Sequence, residues 1–302
     1  MTLPIWLVDA FTDCALQGNP AGVVPDANSL SPTQMQRIAA EIHASETAFV
    51  LAPESPAEAD FRLRFFTPES EVDLCGHATI GTICGLVDAG RLPLRGEQSV
   101  CRIETAVGIL SVTYGKRHGL TWAEMRQAEP QFRQVDLELQ TIAKFLGIDR
   151  QDVDDSLISG ISYTGLWDLF IPVTSLAVMA KMNPDLTALA KLNRALGVAS
   201  THVYTRATVS TENDFHARDF SPALGIPEDP ATGTATGALA ALLLRHGMVE
   251  AGRNYRFEQG YEIGRPSVIY ARVEENVPGG LAVYVKGTAV RSLIGELQLS
   301  QG

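Results

Sequence analysis

Two stretches of the chain are apolar almost all round a helical turn, Ile80 to Val87 and Ala238 to Leu244, and short strand-like runs flank both of them. A helix without a polar face has no side to turn to water, so each is predicted to be surrounded by sheet. Each is entered in the same way. Glu71-Val-Asp-Leu-Cys-Gly76-His-Ala-Thr precedes the first, and Asp229-Pro-Ala-Thr-Gly233-Thr-Ala-Thr-Gly237 leads into the second. Extended chain, then glycine and hydroxyl residues, then helix leaves backbone N–H groups unpaired at a helix N-terminus. Such an end holds anions, carboxylates included, without lysine or arginine.

The remaining pattern supplies mostly strands. Phe61, Leu63 and Phe65 alternate with Arg62 and Arg64, which predicts a half-buried strand ending at Thr67-Pro68. Ser31, Pro32 and Gln34 combine an N-cap, a first-turn proline and a capping-box partner. Met35, Ile38, Ala39 and Ile42 follow at helical spacing, giving an amphipathic helix over 32–43. Glu46 to Leu51 reads as an apolar strand with a carboxylate at its entrance. Further strands are expected at 5–8, 23–24, 100–103, 108–114, 120–125, 166–173, 202–205, 215–220, 255–257, 267–273 and 281–285. Residues 293–299 end the chain. A surface helix is expected over 137–146, and a helix over 185–196 closed by Gly197.

Strands, one apolar helix and strands again, done twice, predict an α+β protein of two similar domains. Each is a curved, mostly antiparallel sheet or barrel wrapped round a central helix. The expected division is 1–121, completed by 288–302, and 122–287, with the active site in the cleft between them. A doubly wound parallel fold needs more regular βα alternation. No G-x-G-x-x-G follows a strand and no Walker A stretch occurs, so nucleotide cofactors are not implied.

Composition narrows the function classes. At 302 residues, 45% hydrophobic and 20% charged, the chain is of globular type and long enough for two cores. A net charge of −11 and a pI near 5.0 argue against a nucleic-acid surface or an anionic membrane partner. An anionic ligand must therefore be held by local backbone dipoles. The first ten residues show no cationic leader, and no run approaches the roughly 18 apolar residues of a membrane span. Four cysteines, Cys14, Cys75, Cys84 and Cys101, are too few for a disulfide scaffold and lack zinc-ligand spacing. A cytoplasmic protein without a metal is the expectation.

Glu46 is the first candidate for chemistry. At the edge of a buried strand its carboxyl suits a group that takes and returns a proton; the bland alternative is a strand-end glutamate paired with Arg62 or Arg64. His77 lies in a helix start, where the local dipole favours the neutral imidazole, able to donate a hydrogen bond or relay a proton. A turn histidine satisfying its own backbone is the competing reading. His43, His118, His202, His216 and His246 show no metal-like clustering and read as structural or solvated. Asp229 either caps its turn or accepts from a substrate, with Thr232 and Thr234 as hydroxyl donors at the same helix start. Cys75 suggests a racemase with two thiols, but the position taken to match it in the second turn is Pro230, so Cys75 reads as a small packed residue.

At these residues the sequence resembles the PhzF family of phenazine-biosynthesis-like isomerases. The matching stretches include Val8-Asp-Ala-Phe11, Gly18-Asn-Pro-Ala21, Ser45-Glu-Thr-Ala-Phe49, Leu74-Cys-Gly-His-Ala-Thr79, Glu228-Asp-Pro-Ala-Thr-Gly233 and Glu258-Gln-Gly260. The resemblance implies a fold like that of diaminopimelate epimerase and a homodimeric, cofactor-free and metal-free isomerase. In such enzymes a glutamate matching Glu46 moves a proton between carbons of a dihydro-hydroxyanthranilate on one face. Residues matching His77 and Asp229 polarise the substrate, with a hydroxyl matching Thr234 in place of the family's usual serine. The binding site that it implies takes in Asn19, Ser45, Gly76, Thr232, Gly233 and Thr234. Two other readings stand beside this one, a non-catalytic small-acid-binding protein on the same fold and a cysteine-dependent amino-acid epimerase.

Overall fold

The computed structural model describes residues 2–277 and 280–299. The chain divides into two compact units. One takes in the chain up to Arg126 and from Lys286 onward, and the other runs from Gln127 to Val285. The expected divisions were at 121/122 and 287/288.

The first unit lays down β1 (Thr2–Ala10), β2 (Asn19–Val24), α1 (Pro32–Ile42), β3 (Glu46–Leu51), β4 (Phe61–Phe66), β5 (Glu71–Val72), α2 (Gly76–Asp88), β6 (Gln98–Thr105), β7 (Gly108–Arg117) and β8 (Leu120–Arg126). The second comprises β9 (Gln131–Arg133), α3 (Leu139–Leu146), β10 (Gly160–Tyr163), β11 (Trp167–Pro172), α4 (Leu176–Lys181), α5 (Leu186–Leu196), β12 (Ser200–Thr205), β13 (Phe215–Ser221), β14 (Ile226–Asp229), α6 (Gly233–Arg245), β15 (Tyr255–Gln259) and β16 (Ser267–Val277). The boundary at 285/286 falls inside the last strand, β17 (Gly280–Gln298).

In the first unit the strands close on themselves. β1 pairs β2, β2 pairs β3, and β3 pairs β4. β4 then pairs β6, β6 pairs β7, and β7 pairs β8. β17 joins β8 and returns to β1. Closure removes the open edges that would otherwise need covering. The helix inside this ring is α2, whose residues from Ala78 to Val87 are all buried. Glycine lets it lie close to the strands. A Cβ added at Gly81 would sit 3.4 Å from Val8, and one at Gly85 would sit 3.4 Å from Trp6. On the outside, α1 starts with the expected capping box between Ser31 and Gln34. Its apolar stripe, Met35, Ile38 and Ala39, packs on Val24, Phe49 and Phe66.

The second unit repeats the plan with an added layer. β9, β10 and β11 pair in sequence, β11 runs parallel to β12, and β12 pairs β13. β13 then pairs both β14 and, in parallel, β15, which pairs β16. Gln127 N donates to Val283 O at 2.8 Å, bringing the start of β17 against the segment before β9. Helix α6 fills the inside, among Phe170, Tyr204, Phe215, Phe257 and Val283. The other face of β10–β13 carries α3, α4 and α5, with Ile142, Leu146, Met179 and Leu189 against Ile161, Leu169 and Val203. The expected helix over 137–146 begins at Leu139 and buries Ile142, Ala143 and Leu146. Asp185 caps α5 by accepting from Ala188 N, and Gly197 closes it in the left-handed conformation, as the pattern predicted.

In the second unit α6 lies close to β17 at Gly237, where an added Cβ would lie 3.1 Å from both Val283 and Val285. Two branched side chains on one strand leave no room for a larger residue. Gly237→Val is expected to cost about 1–3 kcal/mol by overpacking. Thermal denaturation followed by near-UV circular dichroism measures it as a lowered midpoint.

Candidate active site

Both central helices begin without a side-chain cap. The N-cap of α2 is Cys75 and that of α6 is Thr232, and neither side chain accepts from its helix. In both, a threonine four residues on hydrogen-bonds back to the N-cap carbonyl: Thr79 Oγ1 to Cys75 O at 2.7 Å, and Thr236 Oγ1 to Thr232 O at 2.9 Å. The two starts therefore superimpose in sequence as Cys75-Gly-His-Ala-Thr79 and Thr232-Gly-Thr-Ala-Thr236. This corrects the expected match of Cys75 with Pro230, because helix position pairs Cys75 with Thr232. The second start still lacks a thiol.

In the first unit the start of α2 meets the entrance of β3. His77 Nε2 lies 3.4 Å from Glu46 Oε2 and 3.3 Å from Ser45 Oγ. Glu46 Oε2 is buried and, among the described residues, accepts no hydrogen bond. The arginines expected as its bland partners are engaged elsewhere. Arg64 forms two bonds of 2.7 Å with Glu71, and Arg62 pairs with Glu54 and Glu104. Cys75 is buried, as expected of a packed residue, and its Sγ also lies 3.4 Å from His77 Nδ1. Around Gly76 there is open space, with no atom within 4 Å of where a Cβ would stand. Asn19 starts β2, buried and in register with Ala10.

In the second unit, Asp229 ends β14 and accepts a hydrogen bond from the Thr232 hydroxyl. Thr232 is held from the other side by Gln259, which accepts from Thr232 N at 3.1 Å and donates to Asp229 O at 2.7 Å and Thr232 Oγ1 at 3.0 Å. Gln259 is thus the positioning residue of this turn. Its motif, Glu258-Gln-Gly260, was visible in the sequence, but its contact was not. Gly233 is the first helical residue, and Thr234 is half-buried with its carbonyl accepting from Thr164 Oγ1 at 2.9 Å. The structure thus brings Glu46, Ser45 and His77 together beside Gly76, and separately brings Asp229 and Thr232 together beside Gly233 and Thr234.

A hollow of about 620 Å³ in the first unit lies elsewhere, against Phe61, Leu86, Arg91 and Tyr114 toward the C-terminal end of α2. The close grouping of a carboxylate, a thiol and an imidazole is at the other end of the helix, which makes that end the better candidate for chemistry. Among the described residues no helix is long and apolar enough to cross a membrane.

Comparison with known proteins bears on the family and the fold. The model of the phenazine biosynthesis-like protein family, PhzC-PhzF, matches residues 8–295. The Bacillus subtilis protein named uncharacterized isomerase YfhB is 37% identical over 286 residues, with 94% of each chain covered. A trans-2,3-dihydro-3-hydroxyanthranilate isomerase of Pseudomonas chlororaphis is 35% identical over 288 residues, covering 94% of this chain and 95% of its own. Among solved structures, a PhzF-family phenazine biosynthesis protein of Bacillus anthracis has a TM-score of 0.92 at 35% identity, covering 99% of this chain and all of the other.

The strand that carries Gln259 is anchored by a buried ionic triad that sequence pattern did not reveal. His216 on β13 lies between Glu258, 2.8 Å from its Nδ1, and Glu262, 2.9 Å from its Nε2. Burial opposes the imidazolium charge, but the two carboxylates outweigh it and hold His216 up at about 9. Burial likewise works against the charge on Glu258, which donors from His216, Asn213, Val209 and Ser210 hold below the usual range. A histidine raised in the folded state contributes stability that is complete below its unfolded value of 6.5 and is lost as pH rises through about 9. The lowered carboxylates contribute above their unfolded value and lose it in acid. The thermal midpoint of the wild type should therefore exceed that of His216→Gln by most near pH 6. Melts repeated up to pH 10 should show the gap narrowing as the imidazolium is lost.

Proposed function

Since the chain belongs to the phenazine biosynthesis-like PhzC-PhzF family, we propose that it is an isomerase that moves a proton within a small carboxylate-bearing substrate, with Glu46 taking and returning that proton. The observation that carries this reading is the Glu46 carboxylate itself. Among the described residues its Oε2 is buried without a hydrogen-bond donor, 3.4 Å from His77, while Arg62 and Arg64 pair with other carboxylates. A carboxylate oxygen left in that condition is available to accept a proton from a substrate carbon and give it back to a second carbon of the same molecule.

His77, at the first turn of α2, orients the carboxylate and polarises the substrate, and Ser45 Oγ competes for the same imidazole nitrogen. The open space at Gly76 lets the substrate's carboxylate reach the uncapped N–H groups of the helix start. In the second unit Asp229, held by Thr232, accepts from substrate N–H or O–H groups, and the hydroxyls of Thr232 and Thr234 with the backbone at Gly233 hold polar atoms. Asn19 completes the binding set. A dihydro-hydroxyanthranilate fits this role, since its ring carboxylate suits the helix start and its unsaturation acidifies the carbon–hydrogen bond to be broken. We take the protein to be a cytoplasmic homodimer that needs no cofactor for this step.

Turnover of trans-2,3-dihydro-3-hydroxyanthranilate in D₂O, followed by proton NMR, tests the reading. Wild-type protein should place solvent deuterium in the product, and Glu46→Gln should be slower by about 10²–10⁴-fold with unchanged circular dichroism. Gly76→Ala, which meets no atom in the fold, should raise KM while leaving stability intact. Near-wild-type turnover by the Glu46 variant removes that residue from the mechanism. Tight binding of small acids with no exchange into any of them marks a binding protein instead.

A further inference from the structure

Glu46, Cys75 and His77 offer one carboxylate oxygen, one sulfur and one imidazole nitrogen that all lie within 4.8 Å of one another. We propose that these three side chains form a binding site for Zn²⁺, and that the metal, once bound, blocks the proton-transfer role of Glu46. The binding does not rest on the isomerase reading; only its inhibitory consequence does.

The donor set fits zinc in number, type and spacing. Zinc takes thiolate at about 2.3 Å and imidazole or carboxylate at about 2.0–2.2 Å in a tetrahedral array. Those lengths put tetrahedral neighbours about 3.4 Å apart for nitrogen and oxygen and about 3.6 Å apart for sulfur and nitrogen. In the structure His77 Nε2 is 3.4 Å from Glu46 Oε2 and 3.9 Å from Cys75 Sγ. The cluster needs only small side-chain adjustments to close on an ion. A thiolate and a carboxylate balance the dication's charge, and sulfur with imidazole favours zinc over magnesium or calcium. Three protein ligands leave a fourth position for water, or for Ser45 Oγ, which already lies 3.3 Å from His77 Nε2.

A ligand is also what the site lacks electrostatically. Glu46 Oε2 is buried with no donor, a condition that costs free energy and that a cation relieves. The side chains of His77 and Glu46 remain 11% and 18% exposed, so an ion can reach them. The other thiols are placed elsewhere: Cys84 Sγ lies against Thr121 O and Cys101 Sγ against Val112 O, and Cys14 is on the surface. The spacing Cys75-x-His77 with a glutamate 31 residues away matches no zinc-ligand pattern, because strand β3 and helix α2 bring the three together only in the fold.

Isothermal titration of chelator-treated full-length protein with ZnCl₂ decides the matter. The expected result is saturable binding of one ion per chain, unaffected by Cys14→Ser and weakened more than about 10-fold by Cys75→Ala and by Glu46→Gln. The Cys75 side chain makes no cap hydrogen bond to α2, so its alanine variant is expected to keep the circular dichroism of the wild type, and the glutamine variant gives a second, independent reading. Co²⁺ in place of zinc should show a sulfur-to-metal charge-transfer band that Cys75→Ala abolishes. No binding, binding unchanged in Cys75→Ala, or binding lost with Cys14→Ser would overturn the site. Zinc binding without inhibition of the deuterium exchange would leave the site standing and overturn only its link to Glu46.

Discussion

A helix with no polar side can be stable in water only if protein covers it on every side. That constraint governs both units. The burial of Ile80, Ile83 and Leu86 in α2 is worth about 1.5–3 kcal/mol for each large apolar side chain. Gly81 and Gly85 cost that helix about 1 kcal/mol each relative to alanine, and in return they let it lie against Val8 and Trp6 of β1. A ring of strands satisfies the requirement, and a ring has rims. With its whole length buried, α2 meets solvent and ligand only at its ends. The uncapped N–H groups at one end become the natural place for chemistry that the buried face cannot host.

What the sequence made legible follows from how local each signal is. The capping box of α1, the Asp185 cap and Gly197 stop of α5, and the all-apolar central helices are each encoded within a few residues, and the structure contains them. Five elements gave no such signal, among them β5 of two residues and β14 of four. β9 is only three residues long, β10 mixes Gly160 and Ser162 into its run, and α4 is a helix of six residues. The site divides in the same way. Its parts were visible as turn residues, but not the reach of Gln259 to Thr232 or of His216 to Glu258, since those contacts are set by strand neighbours distant in sequence. The membership of Cys75 in the Glu46 cluster was hidden for the same reason.

Strand register explains why Glu46 escapes the arginines that sequence proximity suggested. On β4, Arg64 lies opposite Phe49 and Arg62 opposite Leu51, whereas Glu46 is at the other end of β3, one step before Thr47 opposite Phe66. Three residues along a strand is about 10 Å, beyond a salt bridge. Arg64 turns instead to Glu71 of β5, the strand that pairs with β4, and Arg62 to Glu54 and Glu104. In a chain of net charge −11, the cations nearest in sequence are consumed by structural carboxylates. The carboxylate at the entrance of β3 is left beside an imidazole and a thiol.

The two helix starts share a backbone and differ in their side chains, and that asymmetry bears on the kind of proton transfer the protein can perform. Gly76 matches Gly233, and Thr79 with its bond to the N-cap carbonyl matches Thr236. At the positions between and before them, Cys75 and His77 face Thr232 and Thr234 in the alignment. A two-thiol racemase needs a second thiol, and the second start has Thr232 where the first has Cys75. The Thr232 hydroxyl already donates to Asp229 and accepts from Gln259, and a threonine alcohol is a poor base in any case. The second start carries Asp229 and two hydroxyl residues, with no imidazole at the position of His77. Movement of a proton from carbon to carbon along one face, the role proposed for Glu46, asks for one acid–base group, because the group that removes the proton also delivers it.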